Sequence, residues 1–255
     1  MPDLHATGAA RRRRSAPAHD GPDERDAVHA ILHGTRVERA RVALGALRCL
    51  MRDPNDTQKI FVLAVALDRD HIPAALTRFL SEPGGLELLR DMPALDSSTL
   101  DLDALGRCAQ GTLGHAYATH LRDGALDMDI FRAPPGLPLA ITYFAQRFRQ
   151  CHDVWHVLTG YAPDVRGEIL LQAFTHGQLG TPAPRLAAVV GALQWARVYP
   201  ALPLEAYRAY RRGRAAQFLL AVRWEDLWNE PLDRLRARLA LWERVDLGVG
   251  GRVSA

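Results

Sequence analysis

His152 and His156 stand four residues apart in the segment R-Q-C-H-D-V-W-H-V-L-T-G-Y-A-P-D-V-R-G-E, which runs from Arg149 to Glu168. On an α-helix that spacing stacks both imidazoles on one face, about one turn apart. Asp153 lies three residues before His156 and adjoins the same face. The Thr159-Gly160-Tyr161-Ala162-Pro163 stretch breaks the helix, and Asp164 has the residue type of a cap for the next one. Glu168 then falls in the first turns of a second helix that folds back beside the first. Two imidazoles and two carboxylates meeting at one point suit a divalent metal of borderline hardness such as zinc. The competing reading is a hydrogen-bonded histidine on a polar helix face with an ordinary surface carboxylate. The apolar residues around the pair, Val154, Trp155, Val157 and Leu158, weigh toward the metal, as does Gly167, which permits close backbone approach just before Glu168.

Other residues fall around this set. Arg149 is one turn before His152, where a guanidinium would either fork onto a substrate carboxylate or brace Asp153 or Glu168 by an ion pair. Gln172, one turn beyond Glu168, has the position of a residue that orients it. His176 lies two turns beyond Glu168 and is offset by about 80°, so it reads as a hydrogen-bonded helix histidine. His115 and His120, five residues apart, fall on different helix faces and read as structural. Cys151 points about 100° away from His152 and reads as a packing residue. Phe144, Phe148, Trp155, Leu170, Leu171 and Phe174 form apolar stripes that serve equally as core or as the wall of a lipid tunnel, where each buried methylene is worth about 0.8 kcal/mol.

The motif has a wider frame. H-D-x-x-H followed twelve residues later by Glu, inside R-x-R-x-C-H-D-x-W-H-V-L-T-G and G-E-x-x-x-Q-A-F, closely resembles the coenzyme Q (ubiquinone) biosynthesis protein 4 family. Arg52-Asp53-Pro54-Asn55-Asp56-Thr57 resembles its D-P-x-D-T turn, Gly111-Thr112-Leu113-Gly114-His115-Ala116-Tyr117 its G-T-L-G-x-x-Y helix, and Tyr210-Arg211-Arg212-Gly213-Arg214-Ala215 its late G-R-x-A segment. The likeness extends over about residues 36–245. It implies a role in ubiquinone biosynthesis, at C1 of a polyprenylated 4-hydroxybenzoate intermediate. There the carboxyl group is removed and, in an oxidative version, a hydroxyl is installed, with Zn2+ or another divalent metal held by His152, Asp153, His156 and Glu168. The implied partners are a polyprenylated aromatic lipid, other ubiquinone biosynthesis proteins, a membrane surface met peripherally and a second copy as a homodimer. The implied setting is the cytoplasmic side of a bacterial inner membrane. A non-catalytic organiser that binds prenyl lipid around a structural metal is the alternative. A metal-dependent phosphohydrolase is weaker, since it would want further histidines upstream and a later Asp.

The elements that must position these residues read as helices throughout. Thr35 and Glu38 make a capping box for a helix that Pro54 ends. Asp56 caps a helix over 57–67, and Pro73 opens a short one to Leu80. Residues 86–110 are helical in short pieces, and Leu113, Tyr117 and Leu121 stripe a helix that stops at Gly124. The motif helix is expected over 140–158, followed by helices over 165–179, 185–199, 203–229 and 232–245. With no alternation that would mark strands and no constant repeat, roughly ten helices make an all-α, single-domain bundle over residues 28–255. Residues 1–27, rich in Arg, Ala, Pro, Asp and Gly, read as a disordered tail, and order is expected from about Thr35.

Composition narrows the function classes. The formal net charge of +3 gives no argument for nucleic-acid binding. No apolar stretch approaches the eighteen or so residues that span a bilayer. Asp3, Asp20, Asp23 and Glu24 spoil an acid-poor transit peptide around Arg11–Arg14. Cys49, Cys108 and Cys151 form no C-x-x-C pair, which fits a reducing compartment.

Overall fold

In the computed structural model the described residues are 24–52, 57–129 and 137–241. Among them the chain forms twelve α-helices and no strand, apart from a lone antiparallel bridge between Thr112 and Pro231. The fold is all-α, as the patterning predicts.

The N-terminal part is a three-helix cluster. α1 (Glu24–His33) starts within the stretch expected to be tail, because Ala27 and Ile31, four residues apart, bury one face against Ala46, Val62 and Val65. Two apolar residues are too few to stand out in the sequence, yet enough once α2 (Arg36–Arg52) and α3 (Thr57–Asp68) supply the other side. Thr35 caps α2 as expected: its backbone N–H donates to the Glu38 carboxylate at 2.7 Å, and its hydroxyl accepts from the Glu38 N–H at 3.3 Å. Asp56, the Pro54 turn and residues 1–23 lie outside the described residues.

α4 (Ile72–Ser81) carries Pro73 in its first turn, and α5 (Gly85–Asp91) and α6 (Leu102–Gly106) are the short pieces expected before α7 (Leu113–Asp123). Leu113, Tyr117 and Leu121 of α7 pack into the main core beside α8 (Leu139–Thr159). That core also takes Cys151, Trp155, Leu158 and, from α9 (Val165–Leu179), Leu171 and Phe174. A second, smaller core lies between α9, α10 (Pro182–Trp195) and α11 (Leu202–Ala215).

The helix expected over 203–229 ends early. After Ala215 the chain makes two 3-10 turns, Leu219–Ala221 and Trp224–Asp226, before α12 (Leu232–Arg238). The fully buried side chain of Gln178 explains the break. Its amide donates to the carbonyls of Gly213 at 2.6 Å and Gln217 at 3.1 Å, and it accepts from the Leu219 N–H at 2.8 Å. Those bonds satisfy backbone groups that the helix would otherwise have satisfied. The released segment buries Phe218, Leu219, Leu220 and Trp224 in the main core. The last expected helix, 232–245, also ends early, at Arg238, and its residues 242–245 lie outside the described residues.

Candidate metal centre

The site is built by one tight helix–turn–helix join. α8 ends at Gly160, whose φ of +76° is the left-handed conformation that glycine adopts at no steric cost, and whose N–H donates to the His156 carbonyl at 2.8 Å. Asp164 caps α9, its side chain accepting from the Gly167 N–H at 2.7 Å. Gly167 presses on the turn so closely that a Cβ placed there would stand 1.9 Å from the Ala162 carbonyl oxygen. Only a residue without a side chain fits, and the next residue, Glu168, is thereby driven toward the two histidines. Two guanidiniums hold the end of α8 from the other side. Arg236 donates to the carbonyls of Val157 and Leu158 at 3.0 Å each, and Arg212 to that of Thr159 at 2.8 Å.

His152, His156 and Glu168 converge, with one ligand atom from each within 4.8 Å of the others. His156 Nε2 is 3.0 Å from Glu168 Oε1 and 3.2 Å from His152 Nε2, while His152 Nε2 is 3.4 Å from Glu168 Oε2. The Tyr161 carbonyl fixes the role of each nitrogen. It lies 2.8 Å from His156 Nδ1 and can only accept, so Nδ1 carries the proton. A neutral His156 therefore points a lone pair at a carboxylate oxygen, and a cation has to stand between them, either a proton on Nε2 or a metal. Two imidazole nitrogens and a carboxylate are a donor set that zinc takes with a position left open, so the residues fit the metal that the motif implies.

The electrostatics agree. Burial opposes the charged form of His156, but the hydrogen bond and the charge of Glu168 outweigh it and raise the histidine above its ordinary value. Burial likewise works to raise Glu168, and hydrogen bonds from His152 and His156 overcome it and hold the carboxyl far below the usual range. α9 supplies an internal comparison. His176 is followed four residues later by Gly180, and its Nδ1 is 2.9 Å from the Thr181 carbonyl, the same helix-end arrangement as His156, Gly160 and Tyr161. No carboxylate among the described residues bonds His176, its ring stacks on Tyr210 instead, and burial lowers its pKa.

Asp153 does not join the three-atom convergence and contacts α7 instead. Its Oδ1 lies 3.4 Å from His120 Nε2 on α7. Burial acts to raise its carboxyl, but the His120 hydrogen bond and the nearby charges of His152 and Arg149 hold it low. His120 in turn stacks on His156 with ring centroids 5.4 Å apart. His120, expected to be structural, is thus part of the site's surroundings, and His115 is the purely local one, with Nδ1 3.2 Å from the Gly106 carbonyl. Which helix packs on α8 is not written in the spacing of α7, so no local signal could have separated the two. Arg149 is half-buried and makes no hydrogen bond or ion pair with the described residues, so neither expected brace, to Asp153 or to Glu168, is closed. Gln172 is half-buried and shows no hydrogen bond to Glu168. Behind the site, the fully buried Arg147 pairs with Glu225 and donates to the Val222 carbonyl at 2.8 Å, tying α8 to the 3-10 turns.

An apolar cavity of about 860 Å³ opens along α8. Ile141, Ala145 and Phe148 line it and fall on the same helix face as His152, so the lining ends one turn from that ligand. α3, α4 and the end of α9 supply its other walls.

The chain matches the family described as coenzyme Q (ubiquinone) biosynthesis protein Coq4 over residues 29–244. It is 31% identical over 219 residues to ubiquinone biosynthesis protein coq4, mitochondrial, of Pyrenophora tritici-repentis, covering 84% of this chain and 75% of that one. It is 27% identical over 238 residues to the Bos taurus ubiquinone biosynthesis protein COQ4 homolog, mitochondrial, covering 88% and 89%. A crystal structure at 2.85 Å of a Nostoc punctiforme protein described as belonging to ubiquinone biosynthesis superposes with a TM-score of 0.63 at 27% identity, covering 78% of this chain and 95% of that one. With the match running from within α1 through α12, including the join that carries His152, His156 and Glu168, this chain belongs to the Coq4 family of ubiquinone biosynthesis proteins.

Proposed function

We propose that the chain removes the C1 carboxyl group of a polyprenyl 4-hydroxybenzoate, with a divalent metal at His152, His156 and Glu168. One observation carries this reading. Three protein donors converge while the carboxylate of Asp153 is engaged by His120, an arrangement that leaves a position for substrate. A bound divalent metal would act there as a Lewis acid on a carboxylate or phenolate oxygen.

The chain's own residues would do the rest. Arg149, half-buried and close enough to bear on Asp153 but without a hydrogen bond among the described residues, would fork onto the leaving carboxylate. The cavity wall of Ile141, Ala145 and Phe148 would take the prenyl chain and keep water from the ring. The Tyr161 carbonyl keeps the His156 proton on Nδ1, so that Nε2 always faces inward. In the non-oxidative reaction the C1–carboxyl bond breaks, carbon dioxide leaves, and the electron pair left on C1 takes up a proton. The oxidative version would add a hydroxyl at C1 and needs an oxidant from outside the chain.

The test is to load metal-stripped protein with zinc, add a prenylated hydroxybenzoate and follow loss of the carboxyl group by mass spectrometry. Turnover that requires metal is expected, and none at any metal loading would refute the reading. The runner-up, an organiser that binds prenyl lipid without turning it over, draws on the same cavity, which would hold the chain whether or not chemistry follows. It predicts lipid binding that is unaffected by removing the metal.

A further inference from the structure

The motif carries four donors, and three of them meet. His152, His156 and Glu168 converge, while Asp153 makes its only hydrogen bond among the described residues to His120 Nε2, at 3.4 Å. Asp153 is nonetheless close. Its charge bears on His156, and that of His152 bears on it. Four donors of this kind would close a tetrahedral zinc shell, which is the form of a structural site. Three leave the position that a catalytic site needs. The side chain that separates the two cases lies outside the motif.

His120 sits on α7, whose Leu113, Tyr117 and Leu121 are buried in the main core and fix the face that α7 turns to α8. The helix is anchored at its start. The N–H groups of Leu113 and Gly114 donate to the carbonyls of Glu230 and Trp228 at 3.0 and 2.8 Å. The Tyr117 ring stacks on Trp228 with centroids 5.3 Å apart. From this fixed base the His120 ring lies 26° from parallel to that of His156, with centroids 5.4 Å apart. A carboxylate only accepts, so His120 Nε2 carries the proton that it shares with Asp153.

We propose that His120 withholds Asp153 from the metal, and so keeps open, beside His152, His156 and Glu168, the position that a substrate oxygen takes. His120 is then a positioning residue that acts through Asp153. The inference rests on the metal reading above and names the residue that makes the site an open one.

The experiment is run at one pH on full-length protein stripped of metal and reloaded with zinc or cobalt. Zinc affinity is measured by competition with a chelator. The open position is read from the shift that azide causes in the visible band of bound cobalt. His120→Phe keeps a flat ring against His156 and removes the donor. It should bind zinc about tenfold more tightly than wild type, because Asp153 is free to add a fourth bond, and its cobalt band should no longer answer to azide. His120→Gln keeps an N–H donor and should behave as wild type. Adding Asp153→Ala to His120→Phe should abolish the gain. A histidine that merely supports the site gives the opposite sign, since loss of an outer partner weakens metal binding by about 10- to 100-fold. Circular dichroism melting checks that each variant is folded, with His120→Leu in reserve should His120→Phe melt early. Zinc affinity that falls or stays level without the His120 donor, or an azide response that persists, would overturn the inference and leave the metal reading standing. Wild-type protein that binds neither zinc nor cobalt would overturn both.

Discussion

Gly167→Ala tests whether the turn between α8 and α9 is what puts Glu168 in the site. The new Cβ would stand 1.9 Å from the Ala162 carbonyl oxygen and 2.8 Å from both the Ala162 carbonyl carbon and nitrogen. Side-chain carbons essentially never come within 3.0 Å of such atoms, so the turn and the start of α9 have to part by about 1 Å. The neighbours are backbone and cannot swing aside. Overpacking of this kind costs about 1–3 kcal/mol, which in a chain of this size lowers Tm by roughly 2–4 °C per kcal/mol. Metal affinity should suffer more. Ligand distances tolerate only about ±0.2 Å, so a displacement of about 1 Å takes Glu168 out of the shell. A fall of at least tenfold in zinc affinity is expected, measured by competition with a chelator, beside a modest fall in Tm. Gly191→Ala is the control. There the new Cβ would meet Ile169 Cγ1 at 2.7 Å, a side chain that can turn away, so zinc affinity should hold. Wild-type zinc affinity in Gly167→Ala, with Tm lowered, would show that the join does not position Glu168.

His156→Ala removes the donor with the shortest contact to Glu168 and should abolish stoichiometric zinc binding by elemental analysis; equal metal content in mutant and wild type would remove the site. Arg149→Lys keeps the charge but not the planar fork, so turnover of the carboxylated substrate should fall about ten- to hundredfold while zinc content and Tm stay put. A joint fall of all three would mean that Arg149 braces the site instead. Asp68, whose carboxylate accepts from the Ala183 N–H at 2.7 Å, is raised to about 6 chiefly by burial. A raised carboxyl contributes stability that is present below its unfolded value and is lost as pH rises through about 6. Asp68→Asn keeps an acceptor and removes the buried charge, so it should raise stability at pH 8 by up to about 3 kcal/mol and change little at pH 4. A Tm difference independent of pH would refute that.

The legible parts of this protein are those whose causes lie close together in the chain. The capping box of α2, the proline opening α4 and the glycine ending α8 each act within a few residues, and each stands where the sequence puts it. The convergence of His152, His156 and Glu168 was readable for the same reason, because one helix turn and one short join bring the three together. What stayed hidden depends on partners far along the chain. α11 stops where it does because Gln178, thirty-five residues before Gly213, takes over its backbone groups. Asp153 meets His120 across thirty-three residues, a contact that the spacing around the motif does not announce.

His156 and His176 draw the boundary between the two kinds of information. Each sits four residues before the glycine that ends its helix, and each has its Nδ1 against the carbonyl that follows. The local motif fixes the ring and its tautomer in both cases and assigns a function to neither. Beyond the cap, His156 meets a carboxylate and a second imidazole, so its free nitrogen faces a place for a cation. His176 meets the flat of Tyr210, and burial, helped by the charge of Arg185, disfavours a second proton. A helix-ending histidine therefore becomes a metal-ligand candidate only when the next helix returns an acid to its Nε2. Glu168→Gln should convert the first case into the second: in metal-free protein the His156 ring would lose the partner that raises it and titrate at lower pH by NMR. An unchanged titration would show that the carboxylate is not what distinguishes the two histidines.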